Sequence, residues 1–205
     1  MFEFLRKNNA KKETKEEKYM PTSRDILYQL YDWADERDYE AIDEYLPKVD
    51  QEHYISAIMG ICFSLLYTTE YENPYEKVEE YLNRIGAQMK TSAAWYYDMA
   101  YALLYQGKYE KSCDVAYEGI EVVSQSQYLW LIYSKALYCA GKKEAALDAA
   151  EHSMKIERND EIVRWIELIN NNILCEDVLD KELPYMSASN DFTMPDEMRM
   201  RESHS

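Results

Sequence analysis

The feature that most constrains this chain is a self-similarity at a fixed interval. Tyr105-Gln106-Gly107-Lys108-Tyr109-Glu110-Lys111-Ser112 returns as Cys139-Ala140-Gly141-Lys142-Lys143-Glu144-Ala145-Ala146, which sets Gly107 and Gly141 34 residues apart. The same step back from Tyr109 lands on Tyr75, in Asn73-Pro74-Tyr75-Glu76-Lys77-Val78, and Asp38-Tyr39-Glu40-Ala41-Ile42 lies close to one further period earlier. A unit repeated at such an interval cannot bury its apolar face alone, so neighbours must stack to make a core. Apolar residues between the turns recur at three and four positions, the helical spacing. Short polar connections then make antiparallel helix pairs the expected outcome. With only 5 glycines and 5 prolines in 205 residues, a sandwich or barrel that needs frequent tight turns is disfavoured.

At these positions the chain resembles the tetratricopeptide repeat (TPR) family, whose two-helix unit runs Trp, Leu-Gly, Tyr, Gly-x-Tyr, Ala, aromatic, Ala, Pro. In the unit spanning about 126–159, Trp130 stands at the family's Trp, Gly141 at its turn glycine, and Ser134, Ala146 and Ser153 at its small positions. The preceding unit matches through Ala100, Gly107, Tyr109, Ser112 and Gly119, with Tyr96 where the Trp would be. The unit near 59–92 matches through its Asn73–Glu76 turn and second helix. The closing proline is absent throughout, and Leu66 and Val78 occupy small positions, which predicts wider helix packing there. The resemblance covers residues 22–175 and implies an all-α fold, a TPR-like α-solenoid of antiparallel helix pairs with a C-terminal capping helix. Ser23 is expected to cap a first helix running to about Arg37, with residues 39–48 completing its pair. The expected end cap is Asn159–Cys175, where Ile162, Trp165, Ile166, Ile169 and Ile173 share one stripe.

The repeat domain is therefore placed at residues 22–178. The Lys/Glu/Asn-rich segment 1–19 and the polar tail 183–205 lack apolar period and are expected to be disordered. The Phe2, Phe4 and Leu5 tip is too short for a secretory core, and interspersed acids make membrane contact by it unlikely to persist. Thirty-nine acidic against 23 basic side chains give a formal net charge of −16, which repels phosphate backbones and excludes a nucleic-acid role. Cys62, Cys113, Cys139 and Cys175 form no C-x-x-C pair and sit among apolar neighbours, so they are expected to be reduced thiols of a cytoplasmic protein. His53, His152 and His204 belong to no zinc-protease, phosphate-loop or nucleophile motif. No enzyme activity, metal or cofactor is expected.

What remains is binding. The resemblance implies a concave inner face on the first helix of each pair, and in its register Tyr31, Tyr67, Tyr101 and Lys135 occupy one slot in four successive units. Flanking slots hold Phe63, Tyr71, Tyr97, Tyr105 and Tyr138. Tyrosine rings with hydroxyl tips give large contact area at small entropy cost. The expected function is a non-catalytic protein–protein interaction adaptor or scaffold that lays a partner segment, basic and apolar, along this tyrosine-lined groove. Lys135 is the one basic residue there, too few for a clamp on a C-terminal carboxylate. Three alternatives stay open: an acidic TPR-type chaperone for a secreted or aggregation-prone client, a self-associating structural or regulatory module such as a homodimer, and rings that only pack on one another.

Overall fold

The computed structural model describes residues 23–67, 74–175 and 179; the segments 1–19 and 183–205, and Tyr71, lie outside the described residues. Every regular element among the described residues is helical, so the chain is all-α. In order they are α1 (Ser23–Asp35), α2 (Tyr39–Tyr45) with a 3-10 turn at Leu46–Lys48, α3 (Tyr54–Tyr67), α4 (Tyr75–Ile85), α5 (Ala93–Tyr105), α6 (Tyr109–Val122), α7 (Gln127–Cys139), α8 (Lys143–Ile156) and α9 (Asp160–Asn170). Helix α1 packs on α2 and α3, α5 on α4, α6 and α7, and α8 on α7 and α9.

Helix starts follow from short polar side chains. Asp38, Ser92 and Asn159 each accept a hydrogen bond from the backbone N–H three residues on, at 3.1, 3.3 and 2.9 Å. Helix ends share one device. Gly107 and Gly141 adopt φ of 73° and 78°. Around each, the paired bonds of a Schellman turn form: Lys108 N–H to Leu103 C=O and Gly107 N–H to Leu104 C=O, then Lys142 N–H to Leu137 C=O and Gly141 N–H to Tyr138 C=O.

Two non-glycine residues make the same turn, and they shorten elements that the sequence pattern extends. Arg37 (φ 60°) stops α1 at Asp35 instead of near Arg37, and its guanidinium offsets the strain by donating to the Leu65 carbonyl of α3 at 3.1 Å. Asn172 (φ 54°) stops α9 at Asn170. Ile173 therefore leaves the cap's apolar stripe and is exposed, while Ile162, Trp165 and Ile169 are buried as expected.

Within a pair, the small residues earn their place through hydroxyls as well as size. Ser112 Oγ on α6 donates to the Ala100 carbonyl on α5 at 2.7 Å, and Ser134 Oγ on α7 donates to the Ala146 carbonyl on α8 at 2.6 Å. These are the same two positions 34 residues apart, with serine and alanine exchanged. Ser153 Oγ on α8 reaches the Gln127 carbonyl at 2.8 Å. Each of these three serine hydroxyls thus has a partner, which removes the penalty of desolvating it.

The cysteine expectation is corrected. Cys139, at the end of α7, and Cys175, beyond α9, form a disulfide with Cα atoms 5.3 Å apart. Their spacing in sequence hides this, because only the return of α9 over the last pair brings them together. Cys62 and Cys113 are buried free thiols.

Three substitutions test this description by urea unfolding. A methyl at Gly107 meets nothing within 4 Å, so Gly107→Ala should cost only its φ strain, about 1 kcal/mol. A methyl at Gly60 would overlap the Tyr31 ring, so Gly60→Ala should cost about 1–3 kcal/mol despite better helix propensity. Cys175→Ser should cost roughly 2–4 kcal/mol if the bridge closes the 36-residue separation, and nothing if the thiols are free.

Candidate functional site

Helix α5 is where the inner-face tyrosines meet. Its sides are assigned by their partners: Trp95 Nε1 donates to the Leu82 carbonyl of α4 at 3.0 Å, and the Tyr96 hydroxyl meets Glu118 Oε1 of α6 at 3.2 Å. The remaining side carries Ala94, Asp98, Tyr101 and Tyr105, spaced by four, three and four residues along one face. Tyr97 adjoins this stripe.

The rings form one contiguous cluster. Tyr101 and Tyr105 stack with centroids 4.4 Å apart at 24°. Tyr75, the first residue of α4, sits 5.2 Å from Tyr105 and 6.1 Å from Tyr101. Tyr97 is 6.1 Å from Tyr101 and meets Tyr128 of α7 edge-on at 6.3 Å. Offset and edge contacts of this kind add to the burial of each ring. Burial first, and the Tyr105 hydroxyl second, push the Tyr75 phenol up to about 12, and the same two causes hold Tyr101 higher still. The cluster is therefore uncharged at neutral pH. Tyr101 is only 3% exposed and forms the floor; Tyr75, Tyr97, Tyr105 and Tyr128 are half-buried.

Other residues from the expected groove are placed differently. Tyr31 is fully buried over Gly60, with its hydroxyl 3.4 Å from the Ser56 carbonyl, so it belongs to the contact between α1 and α3. Phe63 is half-buried against the core of α3. Tyr67 ends α3, and its side chain, like Tyr71, lies outside the described residues. Lys135 is 8% exposed, with Nζ 3.0 Å from Glu161 Oε1 and 5.9 Å from the Trp165 ring centroid, so α9 has taken it up. The Tyr138 hydroxyl donates to the Ile173 carbonyl at 2.6 Å, and its ring meets Trp165 edge-on. Of the nine expected residues, the structure gathers Tyr97, Tyr101 and Tyr105 into one surface.

Three members were missed in the sequence. Tyr75 stands there in a turn, and neither Tyr128 nor Asp98 is singled out. Asp98 is the one charged side chain in α5; it is 6% exposed, and among the described residues it makes no hydrogen bond or ion pair. Burial alone raises its carboxyl from 3.8 to about 7. The buried Cys62 thiol of α3 is itself pushed well up, by burial first and by the charge of Asp98 second.

Among the described residues no three His, Cys, Asp or Glu side chains converge as a metal site, and no helix is long and apolar enough to cross a membrane. No protein-family model and no curated protein matches the chain.

A pKa raised in the folded state favours the protonated carboxyl. The fold is therefore most stable, as far as Asp98 is concerned, below about pH 4, and loses that stability as pH rises through about 7. Asp98→Asn should accordingly stabilise the protein, and the gain should grow by roughly 1–2 kcal/mol between about pH 5.5 and pH 8.5. Chemical denaturation of both proteins at the two pH values measures it; a pH-independent difference would mean that Asp98 is solvated.

Proposed function

We propose that this chain is a non-catalytic helical-repeat protein of TPR type, an adaptor or scaffold that binds a segment of another polypeptide against the tyrosines of α5. The observation that carries this reading is the Tyr75, Tyr97, Tyr101, Tyr105 and Tyr128 cluster, in which four half-buried rings surround a buried one. Packing between helices needs the floor ring. Partly exposed tyrosine rings around it suit a peptide that brings both apolar side chains and backbone groups.

The repeat-type reading rests on recurrence in detail: left-handed turns at Gly107 and Gly141, and serine–carbonyl bonds at positions 100/112 and 134/146, all at the 34-residue step. A partner segment would lie beside α5 and α7 and stop short of Lys135 and Tyr138, which α9 occupies. The disulfide removes the cysteine argument for a cytoplasmic protein, so no compartment is part of this reading.

Photo-crosslinking tests it. A benzophenone amino acid at Tyr97 or Tyr105 should trap a defined protein from source-cell lysate, and excess unlabelled wild type should abolish the adduct. Excess Tyr97→Ala/Tyr105→Ala protein, folded by circular dichroism, should compete at least about tenfold less well, as expected for loss of roughly 1.4 kcal/mol or more of binding. The same reagent at Tyr117, exposed on α6 away from the cluster, should trap nothing that this competition removes. Adducts from Tyr117 alone would move the binding face to the other side.

A further inference from the structure

Asp98 is the feature that folding does not explain. Its slot recurs with the repeat: 34 residues earlier stands Ser64 and 34 later Ile132, both buried. The isoleucine shows that this position can be filled by an apolar side chain in the same architecture. An aspartate there leaves a carboxyl 6% exposed with no hydrogen bond or ion pair among the described residues, a costly choice for a residue whose only task is packing.

Its surroundings supply half of a cation site. Asp98 lies on the same stripe of α5 as Tyr101 and Tyr105, one turn from the stacked pair, and the neighbouring Tyr97 presents a further ring. Tyrosine faces attract ammonium and guanidinium groups, and a carboxylate one turn away on the same stripe adds to the attraction. The chain as a whole carries a net charge of −16, which draws basic segments toward it.

We infer that the segment bound on the α5 tyrosines carries a lysine or arginine whose charged end pairs with Asp98 between the rings. This rests on the tyrosine face being the binding site and adds what the site reads. The long aliphatic stem of either residue packs along Tyr101 and Tyr105 while its charged end meets the carboxylate. A desolvated pair of this kind discriminates strongly, because an apolar replacement leaves Asp98 again without a partner.

The test is selection of a phage-displayed random dodecapeptide library on full-length wild type, Asp98→Asn and Asp98→Ile, with Tyr97→Ala/Tyr105→Ala as the control for the face itself. Asp98→Ile copies the residue of the next repeat, so it should fold, and circular dichroism checks that it does. Wild type should enrich peptides with lysine or arginine at one fixed place relative to an apolar anchor. Replacing that residue by norleucine should weaken binding about tenfold or more, as for loss of a charge-assisted bond.

Asp98→Asn should lose the basic position, and Asp98→Ile should exchange it for an apolar one, while both keep the anchor. The double tyrosine variant should enrich nothing. Peptides without a fixed basic position, or with one that survives in Asp98→Asn, would overturn the assignment to Asp98 and leave the tyrosine face standing. Enrichment that appears only after residues 1–19 are removed would make that lysine-bearing segment the occupant and overturn a separate partner. No enrichment with or without those residues would overturn the tyrosine face and this inference together.

Discussion

The close crossing of the two helices in a pair, held by a serine hydroxyl on a backbone carbonyl, is the constraint on which the rest depends. Helix axes approach closely only where the crossing residues are small. At 100/112 and 134/146 alanine meets serine, and the hydroxyl turns a steric necessity into a directional bond of 2.7 or 2.6 Å. A carbonyl in a helix already accepts one bond and has a second lone pair free, so the ladder is not broken. With the crossing point fixed, the faces of α5 and α7 away from their partners are fixed too, and with them the side on which Tyr97, Tyr101 and Tyr105 emerge.

The end of the array uses the same point. Trp165 Nε1 of α9 donates to Ser134 Oγ at 2.8 Å, so that serine is both donor to Ala146 and acceptor from the cap. Around it the Lys135–Glu161 pair, the Tyr138–Ile173 bond and the Cys139–Cys175 disulfide fasten α9 to α7. A helix that would otherwise leave its apolar side open is thereby closed, at the expense of two residues that the repeat register assigns to a binding groove. In the last pair, capping takes the surface that the register assigns to the expected groove.

Much of this was legible in the sequence because it depends on local chemistry or on period. Gly107 and Gly141 mark turns since glycine tolerates a left-handed φ, and Ile162, Trp165 and Ile169 mark a covered face by their spacing. Arg37 and Asn172 make the same turn without glycine; asparagine tolerates the left-handed region, but nothing in the identity of Arg37 announces it, and its compensating bond goes to Leu65, a distant residue. The disulfide was hidden for a similar reason, since the path of α9 alone sets the meeting of its two cysteines. In the site, the register carried over from the resemblance placed Tyr97, Tyr101 and Tyr105 on one side of α5. It could not tell that Tyr31 would sink over Gly60, because that depends on a missing side chain in another helix.

Asp98 shows where sequence pattern and physics part. A lone carboxylate in an apolar helix is ordinarily read as pointing to water, and the same periodicity that places Tyr101 and Tyr105 places Asp98 beside them. Once the helices pack, the group is largely withdrawn from water and its carboxyl is raised to about 7, so that ionising it costs far more than in water. A protein gains nothing in stability from such a group that Ile132, in the equivalent slot, does not supply better. The tyrosines alone would accept many apolar segments with little preference, since ring contact is tolerant of sequence. On the proposed reading, a carboxylate on the same stripe would add a penalty for every segment that fails to bring a cation, and discrimination of this sort is what a face of rings lacks. The instability of the empty site and the selectivity of the filled one are then two consequences of the same buried charge.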